Sequence, residues 1–381
     1  MSMRRAFRGC VMGDYSKLQL VPQYAADGME CYKLIRGDFT NQYYVATDEN
    51  TRRLLNYPEV VGFEVYKCLL PSTAAMMRYF REQGYITSVN ILSILRGALN
   101  YPMEEACYRN QIPVHDISFL SSERVFSGDE IAGLEIKYSK LAMVPDSTLL
   151  IGDIIATGET LVHCLKYVTD HYRRHGARLR NIIIFTIGGA KGIEIMEQLT
   201  EEIRGFWPEF EGFIGVYYDG VFNTYQDRGV CGIQVPDVDF AWFDGILAPE
   251  YRAQTLSQQN PLFEKCIIYD GGARRYEIAD HIKEVSEYWE GIRDRADQID
   301  IRALMTERMG YAHPISFDDW RTKNHYREMD VVRMKRLYEL EKEYVETIAE
   351  SGLSMYPIAR QRLKEFTLAM SGYAAAMKGM M

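Results

Sequence analysis

In the middle of the chain, a continuous run of apolar residues is followed by apolar residues at the spacing of an α-helix. Residues 149–152 read as a buried strand, and five apolar residues after it share one helical face: Leu161, Cys164, Leu165, Val168 and Tyr172. Gly176 stands just past the predicted end of that helix. Further strands are predicted over 88–95, 181–187 and 213–218, and a helix over 73–83. This alternation predicts an α/β fold, a mostly parallel sheet flanked by helices.

Both ends of the chain depart from that pattern. Two alternating segments, 31–36 and 42–47, predict a β-hairpin in an N-terminal β-containing extension. From about residue 274 the pattern is helical, with an apolar stripe at Met334, Leu337, Tyr338, Tyr344, Val345 and Ile348. We therefore predict three parts: an N-terminal extension over 1–70, a core over 71–272 and a C-terminal helical region over 273–381.

Residues 153–160 join the central strand to the central helix and carry the most specific pattern in the chain. Backbone N–H groups and the positive end of a helix point into such a loop, so it suits an anion, above all a phosphate. Asp153 would repel a phosphate and suits sugar hydroxyls or a metal ion instead. An ordinary glycine-containing turn is the alternative, but ligands of open α/β sheets bind at the carboxyl ends of strands. The loop lacks the Gly-Lys-Ser/Thr of a Walker loop and the three glycines of a dinucleotide fingerprint.

This loop resembles the phosphoribosyl-pyrophosphate (PRPP) signature of the type I phosphoribosyltransferases, in which acids end a strand and an Ala-Thr-Gly-Gly-Thr type of loop follows. Four other stretches are similar to the uracil phosphoribosyltransferase branch: Ile94-Leu95-Arg96-Gly97-Ala98-Leu99, Tyr138-Ser139-Lys140-Leu141, Gly188-Gly189-Ala190-Lys191-Gly192-Ile193, and the segment from Arg228-Gly229 to Val235-Pro236. In that branch they correspond to the pyrophosphate loop, the Tyr-Tyr-x-Lys-Leu-Pro motif, the Ala-Pro-Glu-Gly-Ile motif and the base-binding segment. The resemblance covers roughly residues 70–255 and implies a phosphoribosyltransferase-like core.

The resemblance also implies roles for individual residues. The 5-phosphate would be bound by Ala156, Thr157, Gly158, Glu159 and Thr160. Asp153 would hold the ribose hydroxyls and contact the Mg²⁺ that accompanies the pyrophosphate. Arg96 and the Gly97 backbone would stabilise charge on the departing pyrophosphate, unless Arg96 makes only a surface salt bridge. Arg124 lies in the interval 119–128, where the family has a mobile hood, and would reach the pyrophosphate. An ordinary polar hairpin is the alternative there.

Several positions depart from the family pattern. Gly152 stands where the family has a first acid, and Glu159 replaces the second glycine of the loop. Ala156 stands where the hypoxanthine–guanine branch has a carboxylate, which disfavours a 6-oxopurine mechanism that uses that base. After Val235-Pro236, residues 237–242 replace the Gly-Leu-Gly-Asp of the uracil branch with a bulkier and more acidic run. We expect the acceptor to contact Val235, Asp237, Phe240 and Trp242, although the two aromatic side chains either stack on the acceptor ring or belong to the core.

We therefore predict transfer of the 5-phosphoribosyl group from PRPP to a nitrogen of a pyrimidine-like or other heterocyclic acceptor, with release of pyrophosphate. A regulatory protein that senses PRPP or a nucleotide on the same fold is the alternative, as is transfer to a non-nucleobase acceptor. The net charge of −9 argues against nucleic-acid binding, and no apolar run reaches the ~20 residues of a membrane span. Seven scattered cysteines and the absence of a signal-peptide pattern favour a cytoplasmic enzyme, which we expect to be a homodimer.

Overall fold

The computed structural model describes residues 17–95, 97–127, 130–225, 239–265, 275–350 and 354–379, without the side chains of 124–132, 350 and 373–379. The strands are β1 Gln19–Ala26, β2 Met29–Ile35, β3 Gln42–Thr47, β4 Val89–Leu95, β5 Val114–Ser127, β6 Glu130–Lys140, β7 Ser147–Gly152, β8 Leu179–Gly189, β9 Phe213–Thr224 and β10 Phe240–Leu247. The helices are α1 Glu49–Asn56, α2 Phe63–Glu82, α3 Met103–Arg109, α4 Glu159–Arg174, α5 Lys191–Arg204, α6 Pro249–Thr255, α7 Ile278–Asp294, α8 Ile301–Met309, α9 Phe317–Lys323, α10 Val331–Glu350 and α11 Met355–Gly379.

The described strands form one sheet in the order β1-β2-β3-β9-β8-β7-β4-β5-β6, and β10 pairs with β9. The six strands from β3 to β5 in this order run parallel, and antiparallel pairs flank them. β7 is buried along its whole length, and β4 and β8 nearly so, as expected for strands covered on both faces. The β4-α3-β5 and β7-α4-β8 connections run towards opposite edges of the sheet. Because such parallel crossovers are right-handed, α3 and α4 lie on opposite faces of the sheet. The predicted fold class, a mostly parallel sheet flanked by helices, is confirmed.

Most of the elements predicted for the core are present. All five residues predicted to share the apolar face of α4 are buried. The helix predicted over 73–83 begins ten residues earlier, at Phe63, and Pro71 lies inside it. Proline usually breaks helices, but α2 continues through Pro71 because buried residues such as Leu69 and Met76 anchor it on both sides. The prediction that β9 ends near Asp219 was also wrong, since the strand continues to Thr224.

The predicted N-terminal hairpin is present as β2 and β3, and it is part of the main sheet because β3 pairs with β9. An additional edge strand, β1, was not predicted. It contains Pro22 beside an irregularity in its pairing with β2, and proline is tolerated at such an edge position. The proposed boundary at residue 70 falls inside α2. The division into three parts stays a prediction.

The C-terminal helical region packs against the rest of the chain through apolar side chains and buried ion pairs. Of the predicted stripe on α10, Met334, Leu337, Tyr344 and Ile348 are buried. Arg252 of α6 lies 2.8 Å from Glu341 of α10, and Trp320 of α9 donates a hydrogen bond of 2.9 Å to the same carboxylate. These contacts hold α9 and α10 against α6, the helix that directly follows β10. Among the described helices none combines the length and apolar character needed to cross a membrane.

Candidate functional site

The candidate site lies at the carboxyl edge of the sheet, where the chain changes direction between β4 and β7. β4 leads through α3 to β5 on one side, whereas β7 leads through α4 to β8 on the other. The pairing of β4 with β7 ends at Leu92 and Ile151, although both strands run on. A crevice at such a topological switch point is where open α/β sheets bind ligands. The segments that follow β4 and β7 both border it.

Asp153 follows β7 and is 7% exposed. Its backbone N–H donates to the carbonyl of Phe185 on β8, at 3.0 Å, and its Oδ1 accepts a hydrogen bond of 2.9 Å from the N–H of Ile154. Burial raises the pKa of Asp153 to about 7, and the hydrogen bond from Ile154 partly opposes this shift. A Cβ placed on Gly97 would lie 3.3 Å from Asp153 Oδ1. The structure therefore brings together two of the predicted residues, Gly97 and Asp153.

The glycine at position 152 is required by close packing of two backbone segments. The residues 98–100 form a 3₁₀ turn directly after Gly97. A Cβ on Gly152 would lie 2.2 Å from the carbonyl oxygen of Leu99. The N–H of Gly152 donates to Asn100 Oδ1 at 2.9 Å. Any side chain at position 152 therefore collides with this turn, so the position has no room for an acid.

The segment from Asp153 to Ile155 stays beside β8 before the loop leaves the sheet. The N–H of Ile155 donates to the carbonyl of Ile187 at 3.2 Å, and the N–H of Gly189 donates back to the carbonyl of Ile155 at 2.9 Å. Only 156–158 separate this bridge from the start of α4 at Glu159. Gly158 has φ +74°, and a Cβ there would lie 2.1 Å from Ile195 Cδ1 of α5. The loop is therefore short and pressed against α5.

The amide groups of this loop are available to an anion. Within the described part of the chain, the backbone N–H groups of 156–161 donate to no protein acceptor. Thr157 and Glu159 are exposed, and Ala156 and Thr160 are half-buried. The positive end of the 16-residue helix α4 adds a favourable field for a phosphate, which the carboxylate of Glu159 in its first turn opposes.

The interval predicted to be a hood forms a long hairpin. β5 pairs with β4 only as far as Ser121, opposite Leu95. Beyond that point β5 pairs with β6 alone, up to Ser127 opposite Glu130. We call the projecting part, residues 122–127 and 130–136, the arm. The backbone of Arg124 lies in the arm, but its side chain lies outside the described atoms, as does the whole of Arg96. The arm extends past the carboxyl end of β4, and whether it closes over a substrate stays a prediction.

Two of the four predicted acceptor residues can be located. Phe240 is 3% exposed in the core, with its ring centroid 5.7 Å from that of Phe222. Trp242 is half-buried, and the guanidinium of Arg252 lies 4.9 Å from its ring centroid. Both rings line a small cavity of about 30 Å³, room for one water molecule, together with Leu55, Phe222, Tyr251, Pro261, Leu262, Glu264 and Arg308. Val235 and Asp237 lie outside the described residues. The structure thus gives Phe240 a core position, and its contact with an acceptor stays a prediction.

The donor set around Asp153 fits a magnesium ion that is shared with a substrate. No group of three or more His, Cys, Asp or Glu side chains converges to hold a metal within the described residues. Mg²⁺ usually keeps several waters and is held by one or two carboxylates plus substrate phosphates. A lone carboxylate beside a predicted pyrophosphate loop matches that mode of binding.

Sequence reasoning missed two buried polar residues at this edge of the sheet. Asn100 bridges the segments after β4 and β7, but nothing distinguishes it in sequence from an ordinary turn residue. Asp219 is fully buried with φ +61°, and its Oδ1 accepts hydrogen bonds from Thr47 and Thr51 at 2.6 and 3.0 Å. Burial raises the pKa of Asp219 to about 8. An acid directly after the apolar run 213–218 was the available signal for Asp219.

No family model matches the chain, and no curated protein matches it in sequence. Among solved structures, the AQ2163 protein of Aquifex aeolicus is similar at 17% identity and a TM-score of 0.34, over 46% of this chain and 85% of that one. A hypoxanthine phosphoribosyltransferase of Staphylococcus aureus is similar at 20% identity and a TM-score of 0.25, over 34% and 65% of the two chains. A hypoxanthine-guanine phosphoribosyltransferase of L. donovani is similar at 15% identity and a TM-score of 0.28, over 35% of this chain and 78% of that one. The similarity covers part of the chain, and the uracil branch stays a prediction.

Proposed function

We propose that this protein is a phosphoribosyltransferase, which moves the 5-phosphoribosyl group of PRPP to a ring nitrogen of a pyrimidine-like or other heterocyclic acceptor. The observation that carries the proposal is the meeting of three features at one switch point. These are the buried carboxylate of Asp153, the backbone of Gly97 against it, and the unpaired amides of 156–161 at the start of α4. Each suits a different part of PRPP.

The 5-phosphate would bind the amides of the loop, because they lack protein acceptors among the described residues and the positive end of α4 favours negative charge there. The ribose hydroxyls would donate hydrogen bonds to Asp153. Mg²⁺, when bound, would neutralise charge on the pyrophosphate. The pyrophosphate would lie against the segment that contains Gly97, as the resemblance implies for Arg96 as well. In this arrangement the sugar is held between two anchored anions.

In the reaction the C1–O bond of the ribose breaks, and pyrophosphate leaves with the electron pair. A new C1–N bond forms to the acceptor, whose nitrogen gives up its proton. Negative charge grows on the pyrophosphate and positive charge on the ribose ring, so fixed dipoles at both ends stabilise the transition state. Holding PRPP and acceptor in one geometry supplies a further part of the rate. The arm would exclude water, which would otherwise compete with the acceptor.

A PRPP-sensing regulatory protein is the second candidate. It is favoured by the packing at Gly152, because the turn at Leu99 leaves no room for the first acid of the signature. A sensor that binds PRPP without turnover needs fewer polar groups around the ribose than a catalyst does. The Arg96-Gly97 element argues against a sensor of nucleotide alone, which has no use for a pyrophosphate site, and leaves the PRPP sensor to be separated from the enzyme by turnover.

Pyrophosphate release separates the two candidates. The full chain is incubated with PRPP and Mg²⁺ over a panel of pyrimidines, purines and other nitrogen heterocycles, and pyrophosphate is measured. Release that depends on one class of acceptor supports the enzyme, whereas tight PRPP binding with no release on any acceptor supports the sensor. Asp153→Asn is expected to lose most of both binding and turnover. Asp146→Asn is the matched control, since Asp146 precedes the same strand at its opposite end and pairs on the surface with Arg178.

A further inference from the structure

Asn100 occupies the gap that opens where β4 and β7 part. The last paired residues of the two strands are Leu92 and Ile151, so Gly152 has no strand partner on the β4 side. The N–H of Asp153 points to β8, where it meets the carbonyl of Phe185. The N–H of Gly152, one residue earlier, points the opposite way. A buried N–H group needs an acceptor, and here the acceptor is a side chain instead of a strand.

The side-chain amide of Asn100 serves both sides of this gap. Its Oδ1 accepts the hydrogen bond from the N–H of Gly152 at 2.9 Å, and its Nδ2 donates to the carbonyl of Gly97 at 3.4 Å. Asn100 is 7% exposed. Gly97 in turn lies against the carboxylate of Asp153, where its Cβ position is 3.3 Å from Oδ1. One buried amide therefore joins the segment after β4 to the segment after β7.

We propose that Asn100 is a positioning residue, which fixes the Gly97 segment relative to Asp153 so that the pyrophosphate and ribose of one PRPP molecule fit both at once. This inference rests on the proposed function. An amide suits the place because it presents an acceptor to one segment and a donor to the other. A leucine side chain has nearly the same shape as asparagine but has neither a donor nor an acceptor. An aspartate side chain keeps the acceptor for the N–H of Gly152 but replaces the donor with a second acceptor, which faces the carbonyl of Gly97.

Removing the amide frees the two segments to shift relative to each other. A misplacement of about 1 Å costs on the order of 10²-fold in rate when reacting groups must be aligned. We therefore expect Asn100→Leu to lower kcat/KM for PRPP by about 10- to 100-fold. The KM of the acceptor should change little, because the two described hydrogen bonds of the Asn100 side chain go to the segments assigned to PRPP. If Asn100 had only a structural role, replacing it would lower the stability and leave kcat/KM for PRPP unchanged.

Asn90 provides the matched control. It lies near the beginning of β4, is fully buried, and its Nδ2 donates to the carbonyl of Ala142 at 3.1 Å. Asn90→Leu therefore removes a comparable buried amide from β4, the strand that precedes the Asn100 turn, at the end remote from the site. Both variants are expected to unfold at lower urea concentration, but only Asn100→Leu is expected to lose PRPP affinity and turnover.

The experiment measures kcat and KM for PRPP and for the acceptor in the wild type, Asn100→Leu, Asn100→Asp and Asn90→Leu, with inhibition by added pyrophosphate as a second readout. Asn100→Asp retains the bond from Gly152 and is included in case Asn100→Leu does not fold. Loss of kcat/KM for PRPP in the Asn100 variants, with weaker inhibition by pyrophosphate and a normal Asn90→Leu, is the expected result. If the wild type is active and the folded Asn100 variants have a kcat/KM for PRPP within twofold of the wild-type value, this inference alone is overturned. A wild type that neither binds nor turns over PRPP overturns the proposed function as well.

Discussion

Placing an acid at position 152, where the family signature carries one, is expected to damage this protein. A Cβ on Gly152 would lie 2.5 Å from the carbonyl carbon of Leu99, whereas non-bonded carbon atoms pack at about 3.5–4.0 Å. The backbone segments on both sides must therefore separate by roughly 1 Å. Overpacking of this kind costs about 1–3 kcal/mol, and losing the hydrogen bond from Gly152 to Asn100 adds about 0.5–1.5 kcal/mol. We expect a total loss of about 3 kcal/mol for Gly152→Asp.

Urea unfolding of four proteins tests this reasoning. Gly152→Ala carries the same Cβ without a charge, and Gly37→Ala is the control because nothing lies within 4 Å of its Cβ position. Both variants at position 152 should unfold at lower urea with an unchanged m-value, and Gly37→Ala should match the wild type. PRPP affinity should also fall in Gly152→Asp, because the neighbouring Asp153 moves with the backbone. A Gly152→Ala protein as stable as Gly37→Ala, or a Gly152→Asp protein that binds PRPP more tightly than wild type, would refute the account.

Three further predictions concern buried groups. Burial raises the pKa of Asp219 to about 8, so between about pH 4 and 8 the native state binds one more proton than the unfolded state, and its stability falls as the pH rises. Asp219→Asn removes this effect. Measured by urea unfolding, its free energy of unfolding should therefore rise relative to that of the wild type by about 1.4 kcal/mol per pH unit over that range. Arg252→Leu leaves Glu341 buried without its cation and should cost about 3–5 kcal/mol, part of which the double variant with Glu341→Leu should recover. Gly158→Ala should weaken PRPP binding in a direct titration, whereas Gly176→Ala, with a similar positive φ but open space around its Cβ, should lose stability alone.

The parts of the fold that depend on local periodicity could be predicted from the sequence. The buried strands and the apolar face of α4 are set by spacing along the chain, and the structure matches them. The proximity of Gly97 and Asp153 was implied by the family resemblance alone, because β5 and β6 lie between β4 and β7 in sequence and motif order does not make those two strands neighbours. Features set by tertiary packing were missed, as at Pro71, where buried neighbours keep the helix continuous through a residue that usually ends one.

The missing acid of the signature illustrates the limit most clearly. From the sequence, Gly152 is only the loss of a carboxylate, whereas in the structure it is the contact point for the turn at Leu99. The bridging role of Asn100 depends on where β4 and β7 separate, which no local pattern encodes. Phe240 is a similar case, because an aromatic residue after a predicted binding segment fits both a ligand contact and the core position that it occupies.

The most direct test of the central claim is isothermal titration calorimetry of the full chain with PRPP and Mg²⁺. The account predicts a binding heat with one site per chain. The affinity should be at least about tenfold weaker in Asp153→Asn, because a hydrogen bond to a charged group is worth about 1.5–3 kcal/mol and a factor of ten in affinity corresponds to about 1.4 kcal/mol. Asp146→Asn should bind like wild type. The absence of heat in the wild type, or equal binding by Asp153→Asn and wild type, would contradict the assignment of this edge of the sheet as a PRPP site.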